Sequence, residues 1–238
     1  MNTTDTPMLR QYKEIKAQHQ DAILFFRLGD FYEMFLDDAK IASRELGLTL
    51  TGRGKEANRI PMCGLPYHAA DNYISKLIIR GFKVAICEQV EDPNLVKGLT
   101  KREVIKIITP GTVTASNVLD EKENNYLLAI NSIPKSTQYG LSYVDITTGE
   151  FNLCLVQNQS ELMSEIDRLT AKEILVPAGS NLEIPDTILT NTYYPLDPGR
   201  AGQELKNHFQ IQALSAFGIE SLSDSYPAAW ALLDYLKT

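Results

Sequence analysis

Cysteine is scarce in this 238-residue chain and badly placed for chemistry. Cys63, Cys87 and Cys154 are far apart and odd in number, and no C-x-x-C pair occurs, which excludes a disulfide framework and a cysteine-based zinc cluster. The three histidines are too scattered to build a metal centre. No apolar run approaches membrane length, and residues 1–20 are polar with no apolar h-region, so neither a membrane span nor a secretory leader is expected. These absences point to a soluble protein of a reducing cytoplasm with no membrane partner. A Walker A loop is missing too. Gly47 and Gly52 have the right separation, but Arg53-Gly54 follows where Lys-Ser/Thr is required, so ATP binding by that route is excluded. Internal repeats and low-complexity tracts are absent.

What the chain has in quantity is apolar residues, 44% of the total, enough to bury two modest cores. Its net charge of −7 looks wrong for a nucleic-acid binder, but the charge is uneven. Residues 1–115 carry 16 Lys/Arg against 14 Asp/Glu, and residues 116–238 carry 7 against 16. Phosphate contact therefore belongs in the first half, and the small excess there predicts weak DNA binding by this chain alone.

The periodicities predict an α/β protein. Thr6-Pro7 reads as an N-cap and first helical position, with Met8, Tyr12 and Ile15 at helical spacing. Ala22 to Arg27 reads as a buried strand. Asp30 then caps a helix whose stripe is Phe35, Ala39, Ala42 and Leu46. Leu48 to Thr51 is a short strand, Gly52 to Glu56 a basic loop, Pro61 to Pro66 a tight segment, and Ala69 to Gly81 a helix. Lys83 to Gln89 and Glu103 to Ile108 read as strands. Pro110-Gly111 breaks the pattern, and a polar stretch gives a boundary: a domain over 1–114, a linker over 115–125 and a second domain over 126–238. In the second domain Tyr126–Ile130, Tyr139–Ile146, Phe151–Val156, Ile174–Val176, Thr187–Thr190 and Tyr193-Tyr194 read as strands. Glu161–Leu169, Leu205–Phe209 and Ala228–Leu236 read as helices.

The most informative stretch is Leu28-Gly29-Asp30-Phe31-Tyr32-Glu33-Met34-Phe35, an aromatic and a carboxylate two residues apart where the strand is expected to turn into the helix. A ring held there could enter a base stack while Glu33 tests a base edge. A plainer alternative stands beside this. Phe31 lies four residues before Phe35, as a core residue of one helical face would, and Asp30-x-x-Glu33 has the spacing of a capping box. Arg53-Gly54-Lys55 with Arg59 reads either as a phosphate clamp or as a solvated turn, and His68 as a helix-start residue. Asp145, on what reads as a first strand before a Thr-Gly hairpin, suggests a ribonuclease H-type metal site, but such a nuclease needs several more carboxylates on two metals. A Mg²⁺-dependent nuclease using Asp145, or a protein-interaction module with Phe31 in its core, are the rival functions.

Ordered blocks along the chain then converge. Gly29-Asp30-Phe31-Tyr32-Glu33-Met34-Phe35 resembles the Phe-x-Glu motif of the MutS family of bacterial mismatch-repair proteins. The segments Ile60–Ala69, Val84–Gln89 and Ile108–Thr112 match that family in order and spacing, and Asp145–Phe151 resembles the first hairpin of its connector domain. The resemblance covers nearly the whole chain and the N-terminal part of the family. It implies a mixed α/β mismatch-binding domain followed by a ribonuclease H-like connector without nuclease activity. It implies Phe31 and Glu33 as the mismatch-binding pair, and the region of Arg27, Leu28, Arg53, Lys55, Arg59 and His68 as secondary DNA contact. Family members continue into lever, clamp and ATPase domains, so the chain is expected to be a non-enzymatic fragment without cofactor, ATP and Mg²⁺ belonging to the ATPase domain. The implied partners are double-stranded DNA with mismatches or small loops, a MutL-like protein on the connector, and a second copy of the full-length protein, all in the bacterial cytoplasm at the nucleoid.

Overall fold

Thr6 caps the first helix as the Thr-Pro pair predicts. Its side chain accepts the Leu9 amide at 3.3 Å, and Pro7 opens α1 (Pro7–Gln18). The computed structural model describes residues 6–54, 59–91, 98–113 and 124–237. They fall into two units, one made of the described residues up to Thr109, the other of Pro110–Val113 and 124–237. Among the described residues no helix is long and apolar enough to cross a membrane.

The first unit is built on a six-stranded mixed sheet. Its strands are β1 (Ala22–Leu28), β2 (Phe31–Phe35), β3 (Thr51–Arg53), β4 (Ile60–Pro66), β5 (Lys83–Gln89) and β6 (Arg102–Ile108), in the order β3-β4-β2-β1-β5-β6. Only β1 and β5 pair in parallel. Central β1 is buried on both faces, which is why Ala22 to Phe26 is an unbroken apolar run. On one face α1 packs Met8, Leu9 and Tyr12 against Leu24, Phe26, Phe35 and Cys87. On the other lies α2 (Leu36–Leu46), where the Cys63 thiol donates to the Ala39 carbonyl at 3.4 Å, and α3 (Ala70–Ile79) packs beside α2.

Three expectations fail here. The strand does not turn into a helix after Leu28. It folds back as a hairpin through Gly29-Asp30, with Gly29 at φ 59°, the positive φ that a two-residue hairpin loop demands. Phe31 and Glu33 are therefore strand residues, and Asp30 caps no helix. The Asp30-x-x-Glu33 spacing imitates a capping box, but Tyr32 and Met34 bury with a period of two. The helix begins at Leu36, whose φ of 57° is rare for a branched residue. That corner is held by the Asp38 carboxylate, which accepts the Tyr12 hydroxyl at 2.9 Å and the Leu24 amide at 3.0 Å. Second, the tight segment at Pro61–Pro66 is strand β4. Third, the short strand expected at Leu48–Thr51 lies at Thr51–Arg53, so Arg53 leaves the basic loop and joins the sheet edge. The helix expected from Ala69 is preceded by a 3-10 turn over Tyr67–Ala69.

The second unit is a five-stranded sheet. β7 (Tyr126–Ser132), β8 (Tyr139–Asp145) and β9 (Glu150–Val156) form an antiparallel meander, and β10 (Glu173–Pro177) and β11 (Leu189–Tyr193) run parallel to β7 in the order β11-β10-β7-β8-β9. The two stretches expected over Thr187–Thr190 and Tyr193-Tyr194 are this one strand, β11. One face buries Leu128, Ile130, Leu141 and Ile174 under Leu162, Ile166 and Leu169 of α4 (Gln159–Leu169). The other buries Leu127, Ala129, Val144 and Leu175 under Ala228, Ala231 and Leu232 of α6 (Tyr226–Tyr235), with α5 (Pro198–Phe209) packed on α6. The chain is thus mixed α/β throughout, with a ribonuclease H-like second sheet. Residues 115–123 of the expected linker lie outside the described residues. Pro110–Val113 is stitched to the second unit: the Asn125 side-chain amide donates to the Pro110 carbonyl at 2.9 Å, and the Gly111 amide donates to the buried Glu173 carboxylate at 3.0 Å. A Cβ at 111 would stand 2.8 Å from that carboxylate, so only glycine fits there without a shift.

Candidate nucleic-acid interface

β2 is paired on both edges. β1 sets Leu28 opposite Phe31 and Phe26 opposite Glu33, while β4 sets Pro66 opposite Phe31 and Gly64 opposite Glu33. Cross-strand partners point to the same side, so Leu28, Phe31, Glu33 and Phe35 share the sheet face that carries α1. The helix covers Phe35, which is 1% exposed, and leaves Phe31 at the hairpin end 48% exposed. Phe31 is therefore not a core residue.

Glu33 is far less accessible, its side chain 16% exposed. Arg53 of β3 donates from Nη1 to its carboxylate at 3.2 Å. Burial pushes the Glu33 carboxyl above the usual carboxylate range, and the Arg53 guanidinium pulls partly against it. The face thus presents an exposed ring beside a half-sequestered carboxylate with a single guanidinium laid on it. It can insert an apolar wedge and offer one hydrogen-bonding group next to it.

The other predicted contacts divide by strand alternation. Arg27 lies on the opposite face from Phe31. Its guanidinium sits 3.8 Å from the Tyr67 ring centroid and pairs with Glu88 at 3.5 Å, and its Nε donates to the Gly29 carbonyl at 2.6 Å. The Tyr32 hydroxyl donates to the same Glu88, and burial with that carboxylate pushes it up to about 12. Arg27 therefore braces the hairpin from behind. Arg59 is also turned away from Arg53: a Cβ at Gly52 would stand 2.3 Å from Arg59 Cγ, so the Arg59 side chain crosses that glycine. His68 is exposed in the 3-10 turn, edge-on to Tyr67. Lys55 lies outside the described residues.

Two residues were not anticipated. Gly64 lies close against Glu33, a Cβ there standing 3.5 Å from Glu33 Cγ, and a glycine inside a strand often marks such a close approach. Arg102 is buried and donates to the Arg27 carbonyl at 2.6 Å, the Thr100 carbonyl at 2.8 Å and Gln11 at 3.1 Å, with its guanidinium 5.0 Å from the Phe26 ring centroid. It fixes the root of the hairpin. With Lys101 before it and Lys106 in the same strand, nothing in the sequence sets Arg102 apart.

Asp145 is not on a first strand. It ends β8, opposite Tyr126 at the start of β7. Its carboxylate is buried and accepts the Thr147 amide at 2.9 Å, the Thr147 hydroxyl at 2.6 Å and the Asn125 amide at 3.3 Å. Ligand crevices in open α/β sheets lie beyond the carboxyl ends of parallel strands, at the switch point in strand order. Here that is the opposite end of the sheet, where a cavity of about 400 Å³ is lined by Ser132, Ser136, Gln138, Ser180 and Asn181 and by no acidic residue. Among the described residues no group of three or more His, Cys, Asp or Glu is disposed to hold a metal ion. Asp145 stabilises a turn.

Comparison with known proteins also divides the chain in two. The family model of MutS domain I matches residues 6–117, and that of MutS domain II matches residues 125–238. Among similar proteins is the DNA mismatch repair protein MutS of Lachnoclostridium phytofermentans, 48% identical over 97% of this chain and 26% of that protein. Those of Halalkalibacterium halodurans and Pelotomaculum thermopropionicum are 56% and 58% identical over 73% and 71% of this chain, in each case 20% of the relative. The chain thus spans about a fifth to a quarter of the length of these relatives. It belongs to the MutS family of DNA mismatch repair proteins, of which it carries domains I and II.

Proposed function

We propose that this chain is the mismatch-inspecting part of a MutS protein, in which Phe31 enters the minor groove and stacks on a mispaired base while Glu33 hydrogen-bonds that base. The observation that carries this reading is the exposed Phe31 ring on the same sheet face as Glu33. Apolar wedges kink a duplex by roughly 20–90° at a cost of a few kcal/mol per unstacked step. A mispaired step is already poorly stacked, so the wedge enters there at lower cost, and discrimination follows from how easily the duplex deforms. One ring thereby serves many mismatches.

Glu33 contributes by its protonation state. Ionised, it accepts from thymine N3–H. To meet a purine N7, itself an acceptor, it must carry a proton, and the burial that raises its carboxyl supports that. Leu28 packs beside the probed base, and Arg53, Lys55 and His68 supply backbone contact. Arg27 and Arg59 support the site from the other face. The acidic second unit stays off the phosphates, relays the signal and takes a MutL-like partner. The chain binds without catalysing, and ATP hydrolysis with its Mg²⁺ belongs to other parts of a full-length homodimer in the bacterial cytoplasm.

The test is affinity for a G·T heteroduplex against its matched homoduplex at fixed low salt. Phe31→Ala is expected to erase the preference. Glu33→Gln is expected to tighten matched binding and narrow the ratio. Full preference retained in both variants overturns the reading.

A further inference from the structure

The ion pair on Glu33 joins two residues of unequal exposure. Arg53 stands on the edge strand β3, opposite Ile60, and is 49% exposed, while Glu33 stands on β2 opposite Gly64 and is 16% exposed. Arg53 thus reaches along β4 from the level of Ile60 to that of Gly64 to make the contact. The neighbours that β1 and β4 place beside Glu33, Phe26 and Gly64, carry no charge. From α1, on the same face, Lys16 is engaged with Asp38 at 2.8 Å. Arg53 is the charged group in contact with the Glu33 carboxylate among the described residues, and it can swing into solvent while Glu33 cannot.

We infer that Arg53 is a displaceable counter-ion: it holds Glu33 ionised in the free protein, and a DNA phosphate that captures its guanidinium releases Glu33 to take up a proton. The guanidinium half of the pair is open to solvent, so it can exchange its partner without moving the strand. Guanidinium to phosphate is a strong bidentate match, so the duplex competes well for Arg53. Once the guanidinium leaves, burial and the phosphate potential both favour the neutral carboxyl. The proton comes from buffer, binds a carboxylate oxygen and returns to buffer when the duplex leaves. Glu33 thus becomes a donor only after Arg53 has found a backbone, which makes Arg53 a positioning residue that links docking to reading. This rests on the role proposed above for Glu33.

The experiment follows the Glu33 carboxyl by NMR in ¹³C-Glu-labelled chain, assigned with Glu33→Gln, free and with a 15-base-pair G·T heteroduplex at low salt. Calorimetry in two buffers of different ionisation enthalpy counts protons on binding. In the free chain, Arg53→Gln is expected to raise the Glu33 midpoint by about half to one pH unit. Duplex is expected to raise the wild-type midpoint at least as far and that of Arg53→Gln less. Net proton uptake is expected in wild type and is lost in Glu33→Gln. A midpoint indifferent to Arg53→Gln, or to duplex, overturns the inference alone if Phe31→Ala still erases mismatch preference. Absence of duplex binding, or full preference in Phe31→Ala and Glu33→Gln, overturns the reading beneath it as well.

Discussion

Glu33 lies directly across the β2–β4 ladder from Gly64. A Cβ added at 64 would stand 3.5 Å from Glu33 Cγ and 3.3 Å from the Tyr32 carbonyl oxygen. The first is ordinary contact and the second is tight, so a single methyl is accommodated by a small shift. A branched side chain is not. Gly64→Val is expected to destabilise the first unit by about 1–3 kcal/mol through overpacking and to lower heteroduplex preference by displacing Glu33. Gly64→Ala is expected to do little of either. Urea denaturation and paired duplex titrations measure both.

Phe31 and Phe35 share a face and differ in cover. Phe31→Ala is expected to change stability by no more than about 0.5 kcal/mol, because the ring is exposed. Phe35→Ala removes a ring packed edge-on against Tyr12 and is expected to cost about 3–5 kcal/mol. Thermal melts of the two variants side by side decide the point; a large loss in Phe31→Ala would return that ring to the core.

Asp145→Ala removes the acceptor of two hydrogen bonds from Thr147 in the β8–β9 turn and of one from the Asn125 amide before β7. The expected result is a loss of about 1–3 kcal/mol from the second unit, since donors there lose their partner. Supercoiled plasmid incubated with Mg²⁺ is expected to survive with either protein. Cleavage by wild type that disappears in Asp145→Asn would reinstate the nuclease.

Burial pushes the Cys63 thiol up to about 11 and the Cys87 thiol up to about 12. An unfolded thiol ionises near pH 8.5, so between there and about pH 11 the unfolded state binds fewer protons than the folded one. Stability therefore falls as pH rises through that window, by up to about 1.4 kcal/mol per pH unit for each thiol. Guanidinium unfolding at pH 7, 9 and 10 should show the decline, and Cys63→Ala with Cys87→Ala should flatten it. Alkylation of either thiol in the folded chain at pH 8 should be slow.

Strands with unbroken apolar runs, β1 and β5, were legible in the sequence because burial on both faces leaves no room for polar residues. The start of α1 was legible because Thr6-Pro7 is a chemical signal in itself. β2 is hidden in the sequence because Phe31 and Phe35 also fit a helical period, and only tertiary pairing with β1 and β4 selects the strand. β4 was hidden by Pro61, Gly64 and Pro66, residues that weaken strand signals; Pro61 faces the short edge strand and Pro66 ends the ladder. At the site, the Phe31 and Glu33 residue types were readable, whereas the faces of Arg27, Arg53 and Arg59 depend on register, which no local pattern states. Strand order placed Asp145 at the wrong end of its sheet for a metal crevice, and order is a long-range property.

Because β2 is laddered on both sides, the distance between the aromatic and the acid is set by a pleat of about 6.4–6.8 Å per two residues and is not adjustable. A helix tip could fray or rotate to suit one mispair or another. A strand clamped between neighbours advances both groups as one stiff blade. Under the role proposed for Phe31 and Glu33, accommodation of differently shaped lesions then falls to the nucleic acid, whose bending must bring each lesion to the blade.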